Sequence, residues 1–145
     1  MPDQTPSFPA ATPSTARGLV LLGGMLSALS AGLVWAKADP ATLGVGLPAM
    51  FVNEAALMRR GFELRVGWIS VGWVVAACGI IAAALLLWGG EAESAWVAKA
   101  QIGLAGVILV LALLHLSRYL GPLTAAAGGA FIVSGSYLSV RRGAA

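Results

Sequence analysis

The chain has 145 residues, 59% of them hydrophobic and only 10% charged, and its mean hydropathy is +0.87. Soluble domains carry about a quarter charged residues, so this composition excludes an ordinary water-soluble fold. Nine Lys and Arg against six Asp and Glu give a formal charge of +3. These charges are scattered at the ends of apolar segments, and without a basic stripe nucleic-acid binding is excluded.

Met1–Arg17 holds four prolines among Ser, Thr and Gln. Such a segment buries little apolar surface, which predicts a disordered tail. Gly18–Ala36 (GLVLLGGMLSALSAGLVWA) is an apolar run between Arg17 and Lys37. It predicts a first transmembrane helix, with Trp35 placed near one end as an interfacial indole. Arg17 ahead of the run and the small-x-small triplet Ala36-Lys37-Ala38 also fit a cleaved signal sequence. The run exceeds the usual signal core of about 7–15 residues, which favours an uncleaved span.

The connection Lys37–Arg65 carries most of the polar side chains, among them Asp39, Asn53, Glu54, Arg59, Arg60 and Glu63. Pro48 fits a first helical position and Gly61 a left-handed residue after the last turn, so Ala49–Arg60 is predicted to be a short helix. Its apolar stripe of Phe51, Ala55, Met58 and Phe62 is poorly segregated. The segment fits an interfacial helix, a helix packed on the others, or a solvated connector.

Val66–Trp88 (VGWISVGWVVAACGIIAAALLLW) is the longest uncharged stretch. At about 1.5 Å per residue it covers roughly 35 Å as a helix, enough to cross a hydrocarbon core of about 30 Å. Glycines and carboxylates in Gly89–Ser94 end it, and Ser94 can cap the next helix. Ala95–Leu120 is the third span, with Lys99 and Arg118 snorkelling to its ends. Gly121-Pro122 breaks it, and Pro122–Val140 is the fourth span, closed by Arg141-Arg142. The predicted fold is therefore all-α: a four-helix transmembrane bundle over 18–36, 66–88, 95–120 and 122–140, with a short helix in the first connection and tails at 1–17 and 143–145. Both termini fall on one side. The basic residues divide four against five between the two faces, so charge does not set the orientation.

Between helices in lipid, association depends on small residues that let backbones approach. Gly24, Ala28, Gly32 and Ala36 recur every fourth position in the first span, with Gly23, Ser27 and Ala31 beside them. Gly121, Ala125 and Gly129 do so in the fourth; Gly72, Ala76 and Gly103 offer shorter rows. These are the expected packing positions, and Gly32→Leu or Gly129→Leu should disrupt the bundle.

His115 is the sole histidine and the one candidate cofactor ligand; a haem would need a second histidine, from another chain. Cys78, the sole cysteine, excludes an intrachain disulfide and a zinc-type ligand pair, and is read as a small apolar side chain. Every Asp and Glu lies in a tail or connection, which argues against proton- or cation-coupled antiport. Arg59, Arg60, Arg65 and Arg118 are the loop and interface candidates. Trp68, Trp88 and Trp96 are placed at interfaces like Trp35, and Trp73 lies deeper. Ser, His and Asp form no nucleophile arrangement, and no cofactor or metal is expected.

The tryptophan closing the first span (LVWAKAD, Leu33–Asp39), the longer first connection and the glycine-spaced YLGPLTAAAGGAFIVSGSYLSVRR (Tyr119–Arg142) resemble small bacterial four-helix membrane proteins with claudin-like topology. These include the actinobacterial type encoded beside tryptophan-biosynthesis genes. The resemblance implies a bacterial inner-membrane protein with cytoplasmic termini, in a class mostly without assigned activity. Two features depart from claudins: paired extracellular cysteines are absent, and the first connection lacks strand-forming alternation. The expected function is a non-enzymatic accessory or assembly subunit or a small scaffold. Its expected partners are the lipid bilayer and other membrane proteins or further copies of itself. The alternatives are a subunit of an oligomeric transporter or channel and, below that, a haem or quinone subunit using His115.

Overall fold

The computed structural model of the chain describes residues 13–38, 57–88, 95–116 and 118–143. In chain order these form helix α1 (Pro13–Ser30), strands β1 (Val34–Lys37), β2 (Met58–Arg60), β3 (Arg65–Val66) and β4 (Ile69–Ser70), and helices α2 (Val71–Trp88), α3 (Ala95–Leu114) and α4 (Leu120–Gly143). The helices form an up-down ring in which α1 packs on α4 and α2, and α3 packs on α2 and α4. Close approaches fix the antiparallel sense: Gly135 lies against Ala16, Gly128 against Gly23 and Gly121 against Trp35.

Among the described residues three helices are long and apolar enough to cross a membrane: α2, α3 and the Leu120–Arg141 stretch of α4. Four were expected. The first helix falls outside this group because it begins at Pro13, so that its opening turns carry Ser14, Thr15 and Arg17. Residues 13–17 are therefore helical rather than part of the expected tail.

Two short antiparallel sheets amend the all-α expectation. The first span ends at Ser30, not Ala36. Three successive backbone bonds of the tighter i→i+3 kind, from Ala31, Gly32 and Leu33, close α1. The chain then leaves as β1, which pairs with β2: Val34 opposite Arg60, Ala36 opposite Arg59 and Lys37 opposite Met58. The register slips between Val34 and Ala36, around Trp35, and a bulge of this kind re-aims a side chain. The predicted helix over Ala49–Arg60 is contradicted at its end, where Met58–Arg60 is strand; residues 49–56, Ser94 and the 1–12 tail lie outside the described residues. The second span likewise begins at Val71 rather than Val66, because Arg65–Val66 turns back on Ile69–Ser70. The third ends at Leu114, six residues early. Gly121 and Pro122 lie in the first turn of α4, where a proline's missing N–H costs nothing.

The turn Gly61–Leu64 joins these parts. On one side the Gly61 and Phe62 amides donate to the Leu33 and Ala31 carbonyls at the end of α1. On the other, the Val71 and Gly72 amides at the start of α2 donate to the Leu64 and Gly61 carbonyls at 2.9 and 2.8 Å. One short turn thus satisfies the opening amides of α2 and binds the backbone just past α1. Gly61 does not take the left-handed conformation expected of it; among the described residues only Gly67 has a positive φ. It is a glycine because a Cβ there would sit 2.8 Å from both the Ala31 carbonyl oxygen and Trp35 Nε1.

The interior is made largely of small residues. Ala16, Ala31, Ala82, Ala105, Ala112 and Ala125 are fully buried, with Val20, Val75, Ile108, Ile132 and Trp35 as the larger exceptions. Large apolar side chains lie outside: Met25 and Leu29 on α1, Trp73, Ile80 and Leu87 on α2, Val110 and Leu113 on α3, Leu123 on α4. A water-soluble bundle would reverse this arrangement, since apolar surface of such extent destabilises a monomer in water.

Candidate functional site

Inside the ring, α3 carries one amide, Gln101, two residues after its one charged side chain, Lys99, and ahead of an apolar run to Leu114. It is 2% exposed. Its Nε2 donates to the Ala82 carbonyl of α2 at 3.1 Å, and its Oε1 accepts from Ser136 Oγ of α4 at 2.9 Å. Three helices therefore meet at one polar node, in surroundings where an unpaired amide would be costly. On α1, Ser27 Oγ donates to the Gly23 carbonyl and Ser30 Oγ to the Ser27 carbonyl, which satisfies both buried hydroxyls within the helix. Gln101→Leu and Ser136→Ala should each lower stability, with a coupling of about 1 kcal/mol between them, the range measured for hydrogen bonds between membrane helices. A double-mutant cycle on unfolding in detergent measures it; strict additivity would show that the two side chains do not act together.

The second cluster closes the end of the ring that bears the strands. Trp35 is fully buried there, not interfacial as its position predicted. Its Nε1–H donates to the Ser30 carbonyl at 2.7 Å. Gly121 lies directly against its ring, and His115 meets it edge-on with centroids 6.1 Å apart. His115 follows the last residue of α3 and is half-buried, its Nδ1 2.9 Å from the Leu111 carbonyl. A carbonyl only accepts, so Nδ1 carries the proton in this contact. The histidine is thus engaged in packing and local hydrogen bonding; among the described residues no group of three or more His, Cys, Asp or Glu could hold a metal. Cys78 is buried within the interior of the ring.

The expected packing residues divide between two faces of α1. Gly24 faces α2, where a Cβ would lie 2.7 Å from the Gly79 carbonyl oxygen, and Ala28 borders the same contact. Gly72 abuts Gly61 and Gly129 abuts the Leu109 side chain, while Ala76 and Ala125 are buried. Gly32 departs from expectation. It lies beyond the end of α1, exposed, with only the Leu29 carbonyl oxygen near, so the disruption expected of Gly32→Leu has no packing basis. Gly103 has nothing within 4 Å. Gly23, expected beside the first row, abuts Gly128 and Ile132 of α4, while Gly79, Gly128 and Gly135 make close backbone approaches that the expected rows do not identify. Arg59, Arg60, Arg65 and Arg118 all lie at the strand end; Arg59 is half-buried and the others are exposed. Trp68, Trp73, Trp88 and Trp96 are exposed. Gln101 and Ser136 were missed, although a lone amide within an apolar span must find a partner and is a signal in itself. No protein-family model matches this chain, and no curated protein or solved structure is significantly similar to it.

Proposed function

We propose that the chain is an integral membrane protein of four spans, α1 included, which acts without catalysis as an accessory or assembly subunit or a small scaffold. The observation that carries this reading is the inverted distribution of side chains: leucine, isoleucine and tryptophan outside, alanine, glycine and a hydrogen-bonded amide inside. Lipid accepts that exterior, and close backbone contact holds that interior. Leu21, Leu22, Met25 and Leu29 give α1 the same outward face as the other helices. Between α1 and α2 an open apolar groove of about 290 Å³, floored by Gly24, Ala28 and Ala83, faces outward and is shaped to receive an apolar segment. The termini are assigned to the cytoplasm and the location to a bacterial inner membrane on the resemblance to claudin-like bacterial proteins.

Extraction in a mild detergent followed by mass spectrometry of what remains bound tests the proposal. A stoichiometric membrane-protein partner is expected. A homo-oligomer that drives solute flux in proteoliposomes overturns the accessory role, and protein that stays in the supernatant without detergent overturns the membrane assignment.

A further inference from the structure

The β3–β4 hairpin presents an apolar face away from the bundle. Arg65 pairs with Ser70 and Val66 with Ile69, and in an antiparallel pair the two partners share a face. Ser70 turns inward, its Oγ donating to the Phe62 carbonyl at 2.9 Å. Val66 and Ile69 share the opposite face and are exposed, and Trp68 at the tip is 87% exposed. Gly67, with φ of 65°, occupies the first position of the two-residue turn, which in a hairpin this tight demands a left-handed residue. The hairpin is anchored at its base. The Val71 and Gly72 amides tie its end to the Gly61–Leu64 turn, and the rings of Phe62 and Trp73 meet 4.9 Å apart beside it.

Three large apolar side chains are thus fixed at the level where α2 begins its apolar stretch. Among the described residues the charged side chains at this end are the cations Lys37, Arg59, Arg60, Arg65 and Arg118 and the acid Glu63; Asp39 and Glu54 of the same connection lie outside them. The Glu63 carboxylate accepts from the Arg60 backbone N–H at 3.1 Å. We infer that β3–β4 is an interfacial wedge on the face opposite the termini: Val66, Trp68 and Ile69 enter the headgroup region of that leaflet, and Arg60 and Arg65 hold the phosphodiesters of its anionic phospholipids. Indole and aliphatic groups favour that depth, and surface arginines favour that charge. The inference rests on the membrane assignment above.

The test uses the full chain with Trp68→Cys in a Cys78→Ala background, carrying an environment-sensitive fluorophore at position 68 and reconstituted into vesicles of phosphatidylcholine alone or mixed with phosphatidylglycerol. The expected result is a blue-shifted probe, quenched by brominated acyl chains and protected from iodide. In parallel, native mass spectrometry of unlabelled protein should show Arg60→Gln/Arg65→Gln losing retained phosphatidylglycerol by about fivefold per arginine, while Arg17→Gln/Lys99→Gln at the other end keeps it. Protein that fails to float with vesicles overturns the membrane assignment. Protein that floats with an iodide-accessible probe, or whose lipid retention falls equally in both double variants, overturns the wedge alone.

Discussion

Trp35→Ala is expected to destabilise the protein by about 3–5 kcal/mol, the range for truncating a fully buried tryptophan. The side chain fills the strand end of the ring against Gly61, Gly121 and His115, and its indole N–H donates to the Ser30 carbonyl. Trp35→Phe keeps most of the apolar volume and loses only the donor. Since the Ser30 carbonyl also accepts from the Leu33 amide, this milder variant should cost about 1 kcal/mol beyond repacking. Unfolding followed by circular dichroism in a fixed detergent separates the two. An alanine variant within about 0.5 kcal/mol of the parent would remove Trp35 from the centre of that end.

Gly23→Ala should cost about 1–3 kcal/mol, the penalty for forcing atoms into a packed interior. The new methyl would lie 2.5 Å from the Gly128 carbonyl oxygen and 2.9 Å from the Ile132 nitrogen. Both are backbone atoms of α4, which cannot rotate aside as a side-chain tip can. Gly103→Ala is the matched control: the same exchange in a helix, with nothing within 4 Å of the added methyl. It should be neutral or stabilising by up to about 1 kcal/mol through helix propensity. Equal thermal stability of the two variants would mean that α1 and α4 do not touch at Gly23.

Residues 71–88 and 102–114 are helical in the sequence reading because their apolar length leaves no alternative in lipid, and Gly121-Pro122 marks a helix start because proline restricts its own neighbours. Val34–Lys37 was not legible. VWAK continues an apolar run, and what makes it a strand is pairing with Met58–Arg60, a non-local contact with no local periodicity to announce it. The bulge that turns Trp35 inward arises from the same pairing, so an indole placed by position at an interface is in fact a core residue. The glycine rows were legible as composition but not as geometry. Because α1 serves two neighbours, Gly23 meets α4, Gly24 meets α2 and Ser27 lies against both, and the row through Gly24 and Ala28 runs out at Gly32, which lies beyond the helix. Gln101 carries no charge and belongs to no motif, yet its neutral amide binds both neighbouring helices.

The Gly61–Leu64 turn makes mechanical partners of two helices that are not continuous in sequence. Its amides take the Leu33 and Ala31 carbonyls just beyond α1 and its carbonyls take the opening amides of α2, so four backbone bonds tie the end of one helix to the start of the other. A tilt imposed on α1 is transmitted to α2 through peptide groups rather than through side chains. Sliding either helix along the other would have to break bonds to this turn, so the strand end of the ring is where the backbone itself ties the pair.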